Sequence, residues 1–186
     1  MTGAAEELAG ATFEEFLTHE QAAPRRHELV GGRVYVMAGG SERHDLTAGL
    51  IYEALADGAR TAGCRPFTSN RLLRAGTAGY YPDVLIVCGP ATDRLYEANA
   101  SLVVEVLSPT TQDTDRREKA SAYATLPDLA WYLLADPDRR RLEVASVESG
   151  ALHWQAYGPG GVVSTAYGML DVDRLYDAVD GSATTS

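Results

Sequence analysis

Two carboxylates stand where strands ordinarily carry apolar side chains, and a single amine lies a short distance along the chain from them. Asp83 follows Pro82 and opens the run Val84-Leu-Ile-Val87, while Glu105 interrupts Leu102-Val-Val-Glu-Val-Leu107. Strand side chains alternate between faces, so Asp83 shares a face with Leu85 and Val87, and Glu105 shares one with Val103 and Leu107. An ionised carboxylate in such surroundings needs a cation, a hydrogen-bond network or a raised pKa. A shared divalent metal would supply the cation, and hard oxygen ligands suit Mg²⁺ or Mn²⁺. Taken singly, Asp83 also reads as a strand-entry turn residue and Glu105 as an edge-strand acid paired with an arginine.

The amine is Lys119, the only lysine beside fifteen arginines. Unlike a guanidinium, its ammonium is a compact point charge whose pKa moves readily on burial. Asp115, Lys119 and Tyr123 follow one another at i, i+4 and i+8, which puts all three in a row on one helical face. Thr111 or Asp113 is the natural N-cap for that helix. A helix there would pack against the strand of Glu105 and bring Lys119 towards both acids. Read alone, Asp115 and Lys119 make an ordinary surface pair of about 0.2–0.5 kcal/mol; the case for chemistry rests on the three stretches converging.

The elements that must position these residues are legible in outline. Thr12-x-x-Glu15 has capping-box spacing ahead of a first short helix. His27–Val30 and Arg33–Met37 flank Gly31-Gly32, a two-residue hairpin signal that places Glu28 on a strand. Leu46, Leu50 and Ala54, with Ile51 and Leu55 beside them, predict an amphipathic helix over about 41–60. Strands are expected at roughly 66–74, 82–88 and 102–107, then a helix at about 113–125, then strands at about 129–135, 141–147 and 152–157, and a last short helix over 172–179. This order describes a mixed α/β (α+β) layer protein.

The length fits one domain, 1–186, with 1–11 and 181–186 as loose tails. The N-terminus lacks the basic and apolar regions of a signal peptide and no apolar run reaches membrane-spanning length, so a cytoplasmic protein without membrane contact is expected. Cys64 and Cys88 are isolated, with neither zinc spacing nor a disulfide framework, and read as core thiols. The net charge of −10 speaks against a nucleic-acid partner, but it is concentrated at the two ends of the chain. Positions 58–82 carry Arg60, Arg65, Arg71 and Arg74 without an acid, a stretch that could face phosphates or simply solvent.

The motifs Pro82-Asp83, Glu105-Val-Leu-Ser-Pro109-x-Thr111 and Asp115-x3-Lys119-x3-Tyr123, followed by Trp131-Tyr132 and Asp136-Pro137, occur in one order. In that order they resemble the Uma-type (Uma two) restriction endonuclease family of the PD-(D/E)XK nuclease superfamily. The likeness extends to Glu28-Leu-x-x-Gly32 and His44, and covers about residues 12–147. It implies a restriction-endonuclease-like fold, a mixed central sheet flanked by helices, and Mg²⁺- or Mn²⁺-dependent hydrolysis of DNA phosphodiester bonds. Asp83, Glu105 and the carbonyl of Val106 would be metal ligands. Lys119 would position water or stabilise the transition state, Glu28 would be a further acid, and Asp115, Tyr123 and His44 would support them. Arg71 and Arg74 are candidates for DNA-backbone contacts, and a homodimer is plausible because cutting both strands needs two sites. The superfamily lysine two residues after the Glu is here Leu107, and the resemblance implies that Lys119 on the next helix takes its place. The alternatives are a non-catalytic nucleic-acid- or protein-binding module that keeps the fold, and hydrolysis of another phosphorylated substrate.

Overall fold

A computed structural model describes residues 6–37, 39–109, 111–148 and 151–183. Its centre is a six-stranded mixed sheet in the order β12-β11-β10-β9-β7-β4. Here β4 is Arg65–Thr68, β7 Val84–Val87, β9 Leu102–Val106, β10 Trp131–Asp136, β11 Arg141–Glu148 and β12 Ala151–Tyr157. Every residue of β7 and β9 is buried. Strands covered on both faces read as near-continuous apolar runs, which is why an acid within β9 stands out.

The second six-stranded sheet has the order β1-β3-β2-β6-β5-β8. It comprises β1 (Glu6–Ala9), β2 (His27–Val30), β3 (Arg33–Val36), β5 (Leu72–Ala75), β6 (Ala78–Tyr80) and β8 (Tyr96–Glu97). The stretch expected as one strand over 66–74 is thus divided between the two sheets, as β4 and β5. Gly31 and Gly32 turn the β2–β3 hairpin with φ of 57° and 76°, a left-handed pair that side-chain-bearing residues resist.

Helix α2 (Glu42–Thr61), capped by Ser41, covers one face of the central sheet with α5 (Val172–Ala183) and the β13–β14 hairpin (Val162–Thr165 and Gly168–Asp171). The opposite face meets the second sheet and a broken helical segment. Helix α1 (Phe13–Ala22), with its capping box formed between Thr12 and Glu15, closes the far side of the second sheet through Phe13 and Phe16. No described helix is long and apolar enough to cross a membrane.

The structure departs from the sequence-based expectations in three further places. Cys64 and Cys88 are joined in a disulfide, not free core thiols. The pairing of Arg65 with Val87 sets the two cysteines opposite one another just past the ends of β4 and β7, a proximity fixed by register that spacing cannot reveal. Residues 6–9, expected in a loose tail, pair with β3 as the edge strand β1. Helix α5 runs on to Ala183, so part of the expected C-terminal tail is helical, while 184–186 lie outside the described residues.

Candidate active site

Parallel pairing of β9 with β10 brings the helical segment over Glu105, because parallel neighbours need a crossover connection. That segment opens as α3 (Gln112–Thr114), widens into one π-helical turn (Asp115–Lys119) and closes as α4 (Ala120–Tyr123). Thr111 takes the N-cap position, although its hydroxyl bonds Ser108 rather than a helical N–H. The Tyr132 hydroxyl donates to the carbonyl of Asp115 at 2.9 Å and so fixes the wide turn to β10. Single π turns inside helices frequently mark functional sites.

Lys119 points inward. Its Nζ lies 3.1 Å from Glu28 Oε1, 3.2 Å from Glu105 Oε1 and 3.3 Å from Asp115 Oδ1, and its side chain is 5% exposed. The Tyr80 ring covers the ammonium, with its centroid 5.5 Å away. Tyr123 serves the acid instead of the amine, its hydroxyl donating to Glu105 Oε1 at 2.7 Å. Tyr80, Tyr123 and Tyr132 stack edge to face in a row beside the cluster.

Asp83 and Glu105 are cross-strand neighbours. Val84 pairs with Val104 in the antiparallel β7–β9 ladder, and one step further along that register sets Asp83 opposite Glu105 on the same face. Asp83 Oδ2 accepts the Val106 N–H at 2.8 Å and lies 3.3 Å from His44 Nε2. His44 stands in the first turn of α2, where its backbone N–H donates to the Ser41 cap. Glu28 Oε1 also accepts the Tyr81 N–H at 3.1 Å. Asp83, Glu105, Lys119, Glu28, Asp115, Tyr123 and His44 therefore form one connected network drawn from five separate stretches of chain.

Burial dominates the electrostatics. It pushes the Glu105 carboxyl well above the ordinary carboxylate range, Lys119 opposing the shift and Asp115, Asp83 and Glu28 reinforcing it. Glu28 is raised chiefly by burial as well, again with Lys119 opposing. Burial alone would lower the Lys119 amine, but Glu105, Glu28 and Asp115 together hold it well above its usual value, so the ammonium stays charged. The hydrogen bond to Asp83 is the largest influence on His44, raising it to about 9. One ammonium thus serves several acids, and the cluster is short of positive charge.

Among the described residues, no group of three or more His, Cys, Asp or Glu side chains forms a ready metal cage. The donor set nevertheless fits a hard cation. Like charges directly opposite on a sheet are destabilising unless something of opposite sign lies between them. Of the carboxylate oxygens, Asp83 Oδ1 and Glu105 Oε2 take no hydrogen bond among the described residues. One or two carboxylates, with the remaining coordination left to water and substrate, is the usual holding of Mg²⁺.

Arg71 and Arg74 lie apart from this network. Arg71 bonds Glu97, itself fully buried, and the carbonyls of Asp93, Arg94 and Tyr96, which fastens the loop before β8. Arg74 pairs with Glu14 and stacks over Phe13. The sequence reading gave Tyr80 and Tyr132 no contact with Lys119 or Asp115, although Tyr132 stands in the Trp131-Tyr132 motif; those contacts depend on the packing of the helical segment against β6 and β10.

A family model described as "Putative restriction endonuclease", of the Uma2 family, matches residues 13–169. The chain belongs to the Uma2 family. Two uncharacterized proteins of Synechocystis sp., slr1290 and sll1609, are each 32% identical to it, over 65% and 71% of this chain. The matches span 66% and 78% of those proteins, so the first is aligned over slightly less than two thirds of its length. A crystal structure from Anabaena variabilis, described as a putative nuclease belonging to DUF820, superposes with a TM-score of 0.73. It covers 91% of this chain and 99% of its own at 16% identity, a likeness of fold. The restriction-endonuclease-like architecture expected from the motifs is therefore the architecture of this chain.

Proposed function

We propose that this Uma2-family protein is a divalent-metal-dependent nuclease that hydrolyses DNA phosphodiester bonds at the Asp83–Glu105–Lys119 cluster. The observation that carries the reading is Lys119 itself. Position 107, where the superfamily lysine is expected, holds Leu107, yet an ammonium from the following helix reaches Glu105 at 3.2 Å. Asp83 and Glu105, with the Val106 carbonyl, would hold the Mg²⁺ or Mn²⁺, which when bound supplies Lewis-acid polarisation of a phosphate oxygen. Lys119 would position the attacking water or meet the negative charge carried by the phosphoryl oxygens in the transition state. Removing a preorganised donor of this kind commonly costs about 2.7–4 kcal/mol of barrier, or roughly 10²–10³ in rate. Asp115 and Glu28 hold the ammonium in place, Tyr123 orients the Glu105 carboxylate, and His44 with the Val106 N–H orients Asp83.

The test is incubation of supercoiled and single-stranded DNA with purified protein and Mg²⁺ or Mn²⁺, comparing wild type with Asp83→Asn and Lys119→Ala. Cleavage by wild type and loss in both variants is the expected result. Cutting by Lys119→Ala at the wild-type rate would remove the lysine from the mechanism. A second reading, a non-catalytic binding module, is favoured by the three carboxylates that already engage Lys119. Calorimetry separates the two: Mg²⁺ or Mn²⁺ binding that vanishes in Asp83→Asn supports the enzyme, and no binding of either metal supports the module.

A further inference from the structure

Many of the described arginines are already engaged by acids. Arg65 and Arg71 pair with Glu97, Arg74 with Glu14 and Arg116 with Glu143. Arg25 and Arg26 are different: both are exposed, and neither forms an ion pair among the described residues. They sit on the short connection between α1 and β2, held at one end by the Ala23 N–H to His19 carbonyl bond and at the other by the β2 ladder. Together with Tyr81, Glu20 and Pro24 they line a hollow of about 270 Å³.

The one acid in that hollow is already occupied. Glu20 accepts the Tyr81 hydroxyl at 3.0 Å, the His27 backbone N–H at 3.1 and 3.2 Å, and lies 2.9 Å from His27 Nδ1. The Arg26 guanidinium lies over the Tyr81 ring, 4.7 Å from its centroid, which orders the guanidinium without neutralising it. Tyr81 also joins this hollow to the catalytic cluster. Its backbone N–H bonds the same Glu28 oxygen that Lys119 contacts, and its chain neighbours lead directly into Pro82 and Asp83.

We infer that the Arg25–Arg26–Tyr81 hollow, on the α1 side of the second sheet, is a phosphate subsite, which takes a backbone phosphate further along the nucleic-acid strand bound at Asp83 and Glu105. The inference rests on the nuclease reading and adds to it the part of the molecule that grips the strand. Planar forks suit phosphate geometry, and two guanidiniums without an acidic partner keep their charge for it. A phosphate away from the reacting bond is bound equally in ground and transition states, so this interaction belongs to KM and not to kcat.

The experiment measures binding without turnover. Full-length protein in EDTA is titrated into fluorescein-labelled oligothymidylate and into a duplex of equal length, and anisotropy is followed across a series of NaCl concentrations. The Arg25→Ala/Arg26→Ala double variant is expected to bind about ten-fold or more weakly than wild type. Its salt dependence should flatten by about 0.7 on the single strand or 0.9 on the duplex for each phosphate that the variant no longer neutralises. Arg26→Lys should recover part of the affinity, and a melting temperature within a degree or two of wild type, on the order of the error, would exclude misfolding. Should the double variant fold poorly, the single Arg25→Gln and Arg26→Gln variants give the same comparison. Wild-type affinity and an unchanged salt slope in the variants would overturn the subsite while leaving the nuclease reading intact. Failure of wild-type protein to bind either oligonucleotide would overturn both.

Discussion

At the residue scale the site is governed by a shortage of positive charge. Replacing Lys119 by methionine keeps much of its volume and removes the only ammonium facing Glu28, Glu105 and Asp115 among the described residues. Breaking a buried ion pair by deleting one partner typically costs about 3–5 kcal/mol, and that cost should depend on pH. Burial raises the folded-state pKa of both Glu105 and Glu28 above the ordinary carboxylate value, so the fold favours their protonated forms. A carboxyl of that kind stabilises the folded state when protonated and loses the contribution as pH rises through its folded pKa. Without Lys119 both pKa values climb further, because its opposing influence is gone. The raised amine value of Lys119 keeps it charged throughout the acidic and neutral range, so its own titration does not enter. Lys119→Met should therefore be nearly as stable as wild type near pH 4 and fall progressively behind as pH rises towards 8. Chemical denaturation across that range measures it; a pH-independent difference would show that poorer packing, not unpaired charge, carries the effect.

At the element scale, what could be read from the chain was whatever depends on local pattern. The hairpin at Gly31-Gly32, the amphipathic α2 and the acid-bearing strands β7 and β9 all follow from periodicity and turn chemistry, and each lies where the pattern puts it. Alternation alone placed Asp83 with Leu85 and Val87, and those residues do line the site face. The i, i+4, i+8 row identified Asp115, Lys119 and Tyr123, but the π turn was invisible because only the Tyr132 hydroxyl and the buried cluster favour it. The allotment of β4 and β5 to different sheets was equally hidden, since it depends on partners distant in sequence. The same is true of α2 against the β13–β14 hairpin. A Cβ on Gly58 would lie 1.8 Å from the Tyr167 carbonyl oxygen, so helix and hairpin touch backbone to backbone. Helix propensity favours alanine over glycine by about 1 kcal/mol, yet Gly58→Ala should destabilise, because an overpacked core position costs typically about 1–3 kcal/mol and a backbone carbonyl cannot swing aside. Thermal melts would show the sign directly, and a stabilised variant would mean that the hairpin can move away from α2.

At the scale of the whole molecule, the edge of the central sheet is secured covalently. The Cys64–Cys88 bridge closes a loop of 24 residues in sequence separation and holds β4, the outermost strand on that side, to β7. β7 is also the strand that Asp83 precedes, with the cysteine at its opposite end. Chain-entropy reasoning for a loop of this length gives about 3–4 kcal/mol of stabilisation, an upper figure because engineered and native bridges often deliver less. For a protein of this size each kcal/mol corresponds to roughly 2–4 °C in Tm. Reduction, or the Cys64→Ala/Cys88→Ala pair, should therefore lower the melting temperature by about 5–15 °C. The Lys119 cluster should persist, since Asp83 is fixed by the Val106 N–H and His44, at the other end of β7 from the bridge. Mg²⁺ affinity measured by calorimetry on oxidised and reduced protein separates the two consequences. A lower Tm with unchanged metal affinity is expected. A metal affinity that falls with reduction would mean that the pairing of β7 with β9 itself depends on the bridge, and that strand register, not the local bonds of Asp83, sets the spacing of the two acids.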